Sequence, residues 1–307
     1  MSLYNLMRPA KFSDMVGNDS VIKSLKAIVK KQPADRPHAY LFSGPSGCGK
    51  TTLARILANE FGCSGIDLNE LNVANTRGID TIREVISNAS LAPMGGKCRV
   101  YIFDEAHQLS KDAQNGLLKL LEDFPRDSYF MLCSTDPQKI IKTIHNRCSQ
   151  FMVESLTIEG IAALIENVLT NLNKDVASDK IFDALCNASD GSPRRALSLL
   201  ENILSVESEK DQLSLITSAN IEGDVIELCR LLMRGGSWHE IAELYKAIPD
   251  KDTEGIRRII LGYFKSVLLG GGKNTQVGYE MIAIFDKSTF ESGEPTLIKM
   301  LYEAAGR

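Results

Sequence analysis

The sequence lacks any long hydrophobic run. Its apolar stretches, such as Val100–Phe103 and Ile259–Leu261, are far shorter than the roughly 20 residues of a membrane-spanning helix. The first eight residues carry no apolar segment, so we expect no secretory signal. Of 307 residues, 44% are hydrophobic and 24% are charged, as in an average globular protein. This composition excludes disordered, collagen-like and low-complexity architectures.

Paired cysteines are also lacking. The seven cysteines, at positions 48, 63, 98, 133, 148, 186 and 229, are odd in number, and no two of them form a C-x-x-C pair. This spacing argues against a disulfide framework and against a structural zinc site. It predicts reduced thiols in a cytosolic compartment.

The chain has little net charge, with 35 basic and 39 acidic residues and a formal charge of −4. Taken whole, that balance argues mildly against nucleic acid as a partner. The two halves differ, however: residues 1–150 contain 19 basic and 15 acidic side chains, and residues 151–307 contain 16 and 24. The small positive excess of the first half predicts weak binding of a polyanion by one copy of the chain, strengthened when several copies line one channel.

Apolar periodicity divides the chain near residue 152. Short apolar runs at Ala39–Phe42, Arg99–Phe103 and Tyr129–Cys133 alternate with helical patterns, which predicts a parallel sheet covered by helices. Beyond residue 152 only helical patterns remain, with a polar linker predicted at Val206–Asp211. We therefore predict an α/β domain over residues 1–152, a small helical domain over 153–206 and an all-helical domain over 207–307.

A glycine-rich motif follows the first predicted strand and opens a predicted helix. Gly44-Pro45-Ser46-Gly47-Cys48-Gly49-Lys50-Thr51 fits the pattern G-x-x-x-x-G-K-[ST]. Its glycines allow backbone N–H groups to surround phosphates, and the helix N-terminus favours their negative charge. Lys50 is predicted to reach the β- and γ-phosphates, and the Thr51 hydroxyl to bind Mg²⁺. We include Thr52, the next residue of the helix, among the nucleotide-binding residues.

Two acids follow the second apolar run. Asp104 and Glu105 stand at the end of a predicted buried strand, where parallel sheets bind their ligands. Asp104 is predicted to hold Mg²⁺, and Glu105 to polarise the attacking water. The quartet Asp104-Glu105-Ala106-His107 is also that of DEAH-box helicases. Those enzymes need a second α/β ATPase domain, which the helical second half does not offer, so we favour a single-domain ATPase.

Further motifs resemble those of AAA+ clamp loader ATPases, a family that includes the bacterial DNA polymerase III gamma/tau subunit, the replication factor C small subunits and phage clamp loader subunits. Met7-Arg8-Pro9 and Phe12–Gly17 resemble the opening segment of the family, and Ala39–Gly44 resembles the gamma/tau strand before its loop. The resemblance implies adenine-contacting residues at Met7, Arg8, Val16 and Gly17.

Three polar positions receive roles through this resemblance. Ser134-Thr135-Asp136-Pro137-Gln138-Lys139 is similar to a gamma/tau strand end, which makes Thr135, or else Ser134, the sensor of the γ-phosphate. Asn146-Arg147-Cys148 resembles the family's Ser-Arg-Cys and implies that Arg147 is an arginine finger for the neighbouring subunit, since a guanidinium stabilises charge on the transferring phosphoryl group. Gly191–Leu197 resembles G-[SD]-x-R-x-A-L and makes Arg194 the nucleotide sensor of the lid.

The resemblance also implies contacts with DNA and with a clamp. Thr76–Asp80 is similar to the R-G-I-D segment of replication factor C, where a helix N-terminus faces duplex DNA. The implied DNA-binding residues are Arg77, Gly78, Ile79, Asp80 and Arg83. Lys111, Lys97 and Arg99, near predicted strand and helix starts, are either further DNA-binding residues or solvated surface charges. Such contacts follow phosphates and weaken with salt. Gln114 is either the family's relay from DNA to the acids or a plain surface glutamine. Leu91–Met94 is either a clamp contact or a packed loop.

The resemblance covers residues 4–204 and implies an AAA+ α/β domain, a helical lid and an all-helical collar. It implies an ATPase that uses ATP and Mg²⁺ to open and close a sliding clamp on primer–template DNA. Such a subunit belongs to a pentameric ring, with several copies of this chain and a different subunit, in the cytoplasm of a bacterial or phage-infected cell. Another AAA+ DNA-linked ATPase, such as a helicase loader or a branch-migration motor, and a nucleotide-gated scaffold with little turnover are the alternatives.

Overall fold

The computed structural model describes residues 2–73, 79–176, 178–248, 252–271, 274–290 and 293–306. They form two compact units, Met1–Ser205 and Val206–Arg307. A parallel sheet forms the centre of the first unit, and within the described residues its strand order is β2-β3-β4-β1-β5. The strands are β1 (Ala39–Ser43), β2 (Leu68–Asn72), β3 (Arg99–Asp104), β4 (Ser128–Ser134) and β5 (Ser149–Met152).

Helices connect the strands and continue beyond them. Those of the first unit are α1 (Leu3–Leu6), α2 (Asp19–Val29), α3 (Lys50–Glu60), α4 (Ile79–Ala89), α5 (Lys111–Glu122), α6 (Lys142–His145), α7 (Ile158–Leu172), α8 (Asp179–Ala188) and α9 (Pro193–Ile203). The predicted α/β fold followed by helices is confirmed. The last three helices, α7 to α9, lie beyond residue 152, where the sequence predicts helices.

The sheet is buried on both faces. Every residue of β4 is buried, and β1 and β3 are nearly so, because helices cover both sides of a parallel sheet. One core cluster contains Leu53 and Leu57 of α3, and the other contains Leu117 and Leu121 of α5. The two layers of helices therefore hold the sheet as a rigid platform for the loops at its edges.

Two strands of the sheet lack the apolar runs that predict buried strands. Strand β2 has the sequence Leu-Asn-Glu-Leu-Asn and pairs with β3, and β5 has the sequence Ser-Gln-Phe-Met and pairs with β1. Within the described residues these two strands end the order of the sheet. Both are edge strands with alternating or partial burial, so they need few apolar residues. Their polar composition explains why the sequence pattern does not reveal them.

The register of the parallel strands gathers three strand ends at one edge. Ser43 at the end of β1 lies beside Ser134 at the end of β4, and Phe103 of β3 lies beside Leu132 of β4. The loops that leave β1, β3 and β4 therefore start next to one another. This carboxyl edge is where open α/β sheets bind ligands.

The second unit is helical throughout its described residues. Its helices are α10 (Glu209–Met233), α11 (Trp238–Ala247), α12 (Thr253–Leu269), α13 (Thr275–Ile284) and α14 (Glu294–Ala305). Helix α10 begins inside the predicted linker Val206–Asp211, because Glu209 and Asp211 lie in its first turn, where acids suit the helix dipole. Across the described part of the chain, no helix has both the length and the apolarity needed to cross a membrane.

Candidate nucleotide site

The glycine-rich loop lies between the end of β1 and the start of α3, as the sequence predicts. Gly44, Gly47 and Gly49 all have positive φ angles, of 149°, 76° and 103°. A Cβ atom on Gly44 would stand 1.9 Å from the Val153 carbonyl oxygen, so the loop requires glycine there for space as well as for conformation. The loop and the N-terminus of α3 together form a concave backbone surface suited to phosphates.

Lys50, Thr51 and Asp104 meet at this loop. The Lys50 ammonium donates hydrogen bonds to the carbonyl oxygens of Gly44 (3.0 Å) and Pro45 (2.6 Å), so its charge already lies against the loop. The Thr51 hydroxyl donates to the Asp104 carboxylate at 3.1 Å. Two hard oxygen ligands side by side fit Mg²⁺, which usually keeps waters and takes further oxygens from phosphates. Among the described residues, no group of three or more histidine, cysteine, aspartate or glutamate side chains could hold a metal ion.

The end of β4 approaches Glu105. The Thr135 hydroxyl donates to the Glu105 carboxylate at 3.1 Å, whereas the Ser134 hydroxyl is fully buried and lies 3.3 Å from His107 Nδ1. Glu105 has a φ angle of 54°, in the left-handed region that is costly for a residue with a side chain. Of the two candidate sensors, Thr135 is therefore the one whose side chain forms a hydrogen bond with the Glu105 carboxylate.

Two clefts adjoin the loop. The apolar cleft, of about 530 Å³, has a mostly hydrophobic lining: Tyr4, Met7, Arg8, Pro9, Asp14, Met15, Val16, Gly47, Cys48, Gly49, Thr52, Leu156, Leu164, Pro193 and Leu197. The polar cleft, of about 380 Å³, is lined by Tyr4, Ser46, Gly47, Gly49, Lys50, Thr51, Thr52, Asp104, Glu105 and Arg194. An apolar cleft beside a polar one matches a base and its phosphates.

Most of the predicted nucleotide-contacting residues line these clefts, and the three exceptions are Gly17, Gly44 and Pro45. A Cβ atom on Gly17 would stand 2.5 Å from Cδ2 of Leu156, so Gly17 packs closely against a residue that lines the apolar cleft. Pro45 contributes its carbonyl oxygen, which accepts hydrogen bonds from Lys50 and from the Cys48 thiol. Burial raises the pKa of the Cys48 thiol, and the residue acts as packing within the loop.

Arg194 reaches the polar cleft from the first turn of α9. Its backbone N–H donates to the Gly47 carbonyl oxygen at 3.5 Å, and its guanidinium donates to the Tyr4 hydroxyl at 3.3 Å. The Arg8 guanidinium donates to the same hydroxyl at 3.0 Å. Sequence reasoning missed Tyr4, because helix α1 ends at Leu6 and no helical spacing links Tyr4 to Arg8.

Arg147 lies at the opposite edge of the sheet. It precedes Ser149, the first residue of β5, which pairs with Tyr40 near the start of β1. Its guanidinium forms an ion pair with Glu122 and donates a hydrogen bond to the Thr143 carbonyl oxygen at 3.1 Å. The structure therefore does not bring Arg147 to the phosphate loop of its own chain.

Of the predicted DNA-binding residues that the structure describes, none lines either cleft. Arg77 and Gly78 are outside the described residues, and Ile79 and Asp80 are the first two residues of α4. Arg83 is exposed on α4, and Lys111 is exposed at the start of α5. The structure does not bring Arg83 or Lys111 to the lining of the two clefts.

Two further predictions are corrected by burial. Arg99 is 8% exposed and donates to the carbonyl oxygens of Asn88 and Ala92, so it is unavailable to DNA. Gln114 is 3% exposed, which makes the surface interpretation wrong. Its amide donates to the carbonyl oxygens of Leu109 and Lys139, and its carbonyl accepts from the Ile141 backbone. Gln114 thus ties α5 to the segment that follows β4.

A buried carboxylate fixes the loop before β3. Asp67 accepts hydrogen bonds from the backbone N–H groups of Met94 (2.7 Å), Gly95 (2.8 Å) and Gly96 (2.8 Å), and it lies 3.7 Å from the Arg99 guanidinium. The hydrogen bond from Met94 and the others hold the pKa of Asp67 well below its usual range. The loop is therefore held in one conformation by an ionised acid.

The fold of this chain is the AAA+ fold, a five-stranded parallel sheet with helices followed by further helices. The RuvB Holliday junction branch migration motor of Thermotoga maritima has a TM-score of 0.60 to this chain at 20% identity, covering 77% of this chain and 84% of that one. A point variant of the same protein has a TM-score of 0.60 at 18% identity, covering 96% and 91%. At such identities the likeness concerns the fold alone.

Sequence relatives narrow the class further. The tau subunit of DNA polymerase III from Bacillus subtilis is 32% identical over 276 residues, 82% of this chain and 46% of the relative. The tau subunit from Escherichia coli is 34% identical over 218 residues, 64% of this chain and 33% of the relative. The family described as DNA polymerase III, delta subunit, matches residues 64–157. The chain is thus similar to the tau subunits of DNA polymerase III, and it spans less than half the length of these relatives.

Proposed function

We propose that this chain is an ATP-driven clamp loader subunit that opens and closes a ring-shaped sliding clamp on primer–template DNA. The observation that carries the proposal is the division of the catalytic groups between two edges of the sheet. Lys50, Glu105 and Thr135 meet at the carboxyl edge, whereas Arg147 lies at the amino edge. A ring in which each chain completes the site of its neighbour would bring both sets together.

The carboxyl edge would perform the hydrolysis. Lys50 holds its charge against the loop that receives the phosphates, and Glu105 would take a proton from the attacking water, with Thr135 orienting its carboxylate. Thr51 and Asp104 would hold Mg²⁺, which neutralises developing charge on the phosphates. Nucleotide release and lid movement would then depend on Arg194, because it joins α9 to the loop.

The apolar cleft would hold the adenine. Met7 and Val16 supply apolar walls, and Arg8 supplies a donor. The Arg8 Nε atom is buried and has no hydrogen-bond partner among the described residues. Because an unsatisfied buried donor costs free energy, a ring nitrogen of the base is a suitable acceptor for it.

An apolar tip at the outer end of the sheet would contact the clamp. Ile66, Leu91 and Met94 are 68%, 58% and 76% exposed, and we call them the apolar tip. The buried Asp67 carboxylate holds the backbone beneath Met94, so the tip is presented in a fixed conformation. A preformed apolar contact loses less conformational entropy on binding than a disordered one.

Contacts with DNA would come from basic residues on several copies. Arg83 and Lys111 are exposed near the starts of α4 and α5, and the predicted Arg77 and Gly78 precede α4 in sequence. Each copy would contribute few phosphate contacts, so affinity would come from the assembled ring and would fall with salt.

The test is a phosphate-release assay with the chain, its companion subunits, a sliding clamp and primed DNA. We expect clamp and primed DNA together to raise the rate above that with either alone, and Ile66→Ser/Met94→Ser to remove the clamp-dependent part. The matched control is the exposed pair Leu269→Ser/Tyr279→Ser in the second unit. A rate that does not respond to the clamp would refute the clamp loader role in favour of another DNA-linked ATPase, and a chain without turnover would indicate a scaffold.

A further inference from the structure

Tyr4 stands at the boundary between the two clefts and contributes to the lining of both. Its hydroxyl accepts hydrogen bonds from Arg8 (3.0 Å) and Arg194 (3.3 Å). Its ring also faces both guanidinium groups, whose central carbons lie 5.4 Å and 4.9 Å from the ring centroid. Tyr4 therefore bridges two cations through its oxygen and through its aromatic face.

Arg8 and Arg194 lack a carboxylate partner in the part of the chain that the structure describes. Both guanidinium groups instead donate to the neutral phenol of Tyr4. A neutral phenol is a weaker hydrogen-bond acceptor than a phosphate. The arrangement is therefore one that an entering anion would rearrange.

The pKa of Tyr4 is also affected by the two neighbouring guanidinium groups. Burial raises the pKa of Tyr4, but hydrogen bonding from Arg194 and the charges of Arg8 and Arg194 outweigh it, so the pKa lies below its ordinary value. The cations favour the phenolate. If Arg194 were drawn away to another anion, the pKa of Tyr4 would rise.

The bridge joins three parts of the site. Tyr4 is on α1, Arg8 belongs to the segment that would cover the adenine, and Arg194 is on the lid helix α9. The backbone of Arg194 also contacts the phosphate loop at Gly47. A change in the partner of Arg194 would thus alter how the N-terminal segment is held to the lid.

We propose that Tyr4 is a nucleotide-sensing latch. Its hydroxyl holds Arg194 until ATP binds, and the terminal phosphate of ATP then replaces the hydroxyl as the hydrogen-bond partner of Arg194. This inference rests on the proposed function, because it takes ATP as the ligand. ADP lacks the terminal phosphate and would leave the latch closed. Part of the ATP binding energy is then spent in opening the latch, and ADP binding carries no such cost.

The test compares binding of fluorescent ATP and ADP analogues to the whole chain and to Tyr4→Phe, which keeps the ring and removes the hydroxyl. We expect Tyr4→Phe to shift the ATP-to-ADP affinity ratio toward ATP by about threefold to tenfold, as for a partly exposed hydrogen bond to a charged group. Tyr279→Phe, at a tyrosine that is 62% exposed in the second unit, is the matched control and should leave the ratio unchanged.

A spectroscopic measurement gives a second reading. The ultraviolet ionisation difference between the whole chain and Tyr4→Phe isolates the titration of Tyr4, and a non-hydrolysable ATP analogue should raise its pKa while ADP should not. An unchanged affinity ratio, or equal weakening of both nucleotides, would overturn the latch and leave the clamp loader proposal standing. A chain that binds neither nucleotide would overturn both.

Discussion

Replacing Arg147 by alanine tests whether hydrolysis needs a group from the neighbouring chain. Arg147 lies two residues before Ser149, whose partner Tyr40 is at the start of β1, and the phosphate loop begins at Gly44. At about 3.3 Å per residue, the four steps from Tyr40 to Gly44 separate Arg147 from its own loop by about 13 Å or more. A side chain at that distance makes no contact with phosphates in the same chain.

The distance fixes the expected magnitude. A unit charge 13 Å from another in water contributes about 0.3 kcal/mol, which changes a rate by less than about twofold. A guanidinium at about 4 Å, at a dielectric suited to a protein surface, contributes about 4 kcal/mol, or roughly a thousandfold in rate. We therefore expect Arg147→Ala to lower DNA- and clamp-stimulated turnover about a thousandfold if the arginine acts in a neighbour, and less than about twofold if it acts only within its own chain.

The assay is single-turnover phosphate release with clamp and primed DNA, alongside binding of a fluorescent ATP analogue. ATP binding should stay nearly normal, because the residues that line both clefts are unchanged. Loss of the ion pair with Glu122 involves side chains 34% and 49% exposed, so the free energy of unfolding should fall by only about 0.2–1 kcal/mol. Arg126→Ala, at an exposed arginine that precedes β4, is the matched control.

Mixing two defective variants tests whether Arg147 acts in the site of the neighbouring chain or in its own. Lys50→Ala destroys its own site but keeps Arg147, and Arg147→Ala keeps its site but lacks the finger. In a head-to-tail ring with neighbouring copies of the chain, a random equal mixture restores about one interface in four. Recovery of turnover on mixing is expected. Full turnover by Arg147→Ala alone, or a mixture as inactive as its parts, would refute the reasoning.

The remaining predictions concern catalysis, packing and thiol chemistry. Glu105→Gln should lower phosphate release by roughly 10²–10⁴-fold with ATP binding intact, and a slowing of less than tenfold would contradict its role as base. Gln114→Leu should lower the free energy of unfolding by about 1–3 kcal/mol in chemical denaturation, because its three hydrogen-bond partners are left unsatisfied, while the exposed control Gln138→Leu should have little effect. Burial raises the pKa of Cys148 and of Cys229 to about 12, so at pH 8 both thiols stay protonated, and mass spectrometry should find them alkylated by iodoacetamide only after unfolding.

Much of the central site can be read from the sequence because its signals are local. The loop from Gly44 to Thr51 needs glycine at fixed positions, and Asp104 follows a continuous buried run, so both motifs appear in the letters themselves. The sequence pattern does not predict the edge strands β2 and β5, because a partly exposed edge strand does not need an apolar run.

Contacts between segments far apart in the chain are not predicted by the sequence pattern either. No pattern within α1 shows that Tyr4 meets Arg194, since 190 residues separate them and only the packing of α1 near α9 joins them. The sequence pattern does not predict the burial of Arg99 either, because its carbonyl partners lie at the end of α4 and on the loop that follows it. Such contacts depend on how elements pack, which periodicity does not encode.

The sequence by itself determined that this chain folds as a parallel α/β domain followed by helices and carries a phosphate loop with two acids. These features follow from local backbone needs and from the burial of alternate or continuous apolar residues. Only the tertiary structure decided which hydroxyl approaches Glu105, which arginines share Tyr4, and that Arg147 stands at the edge of the sheet away from its own loop. The physical reason is that strand register and helix packing set distances between residues far apart in the chain, and the chemistry of the site depends on those distances.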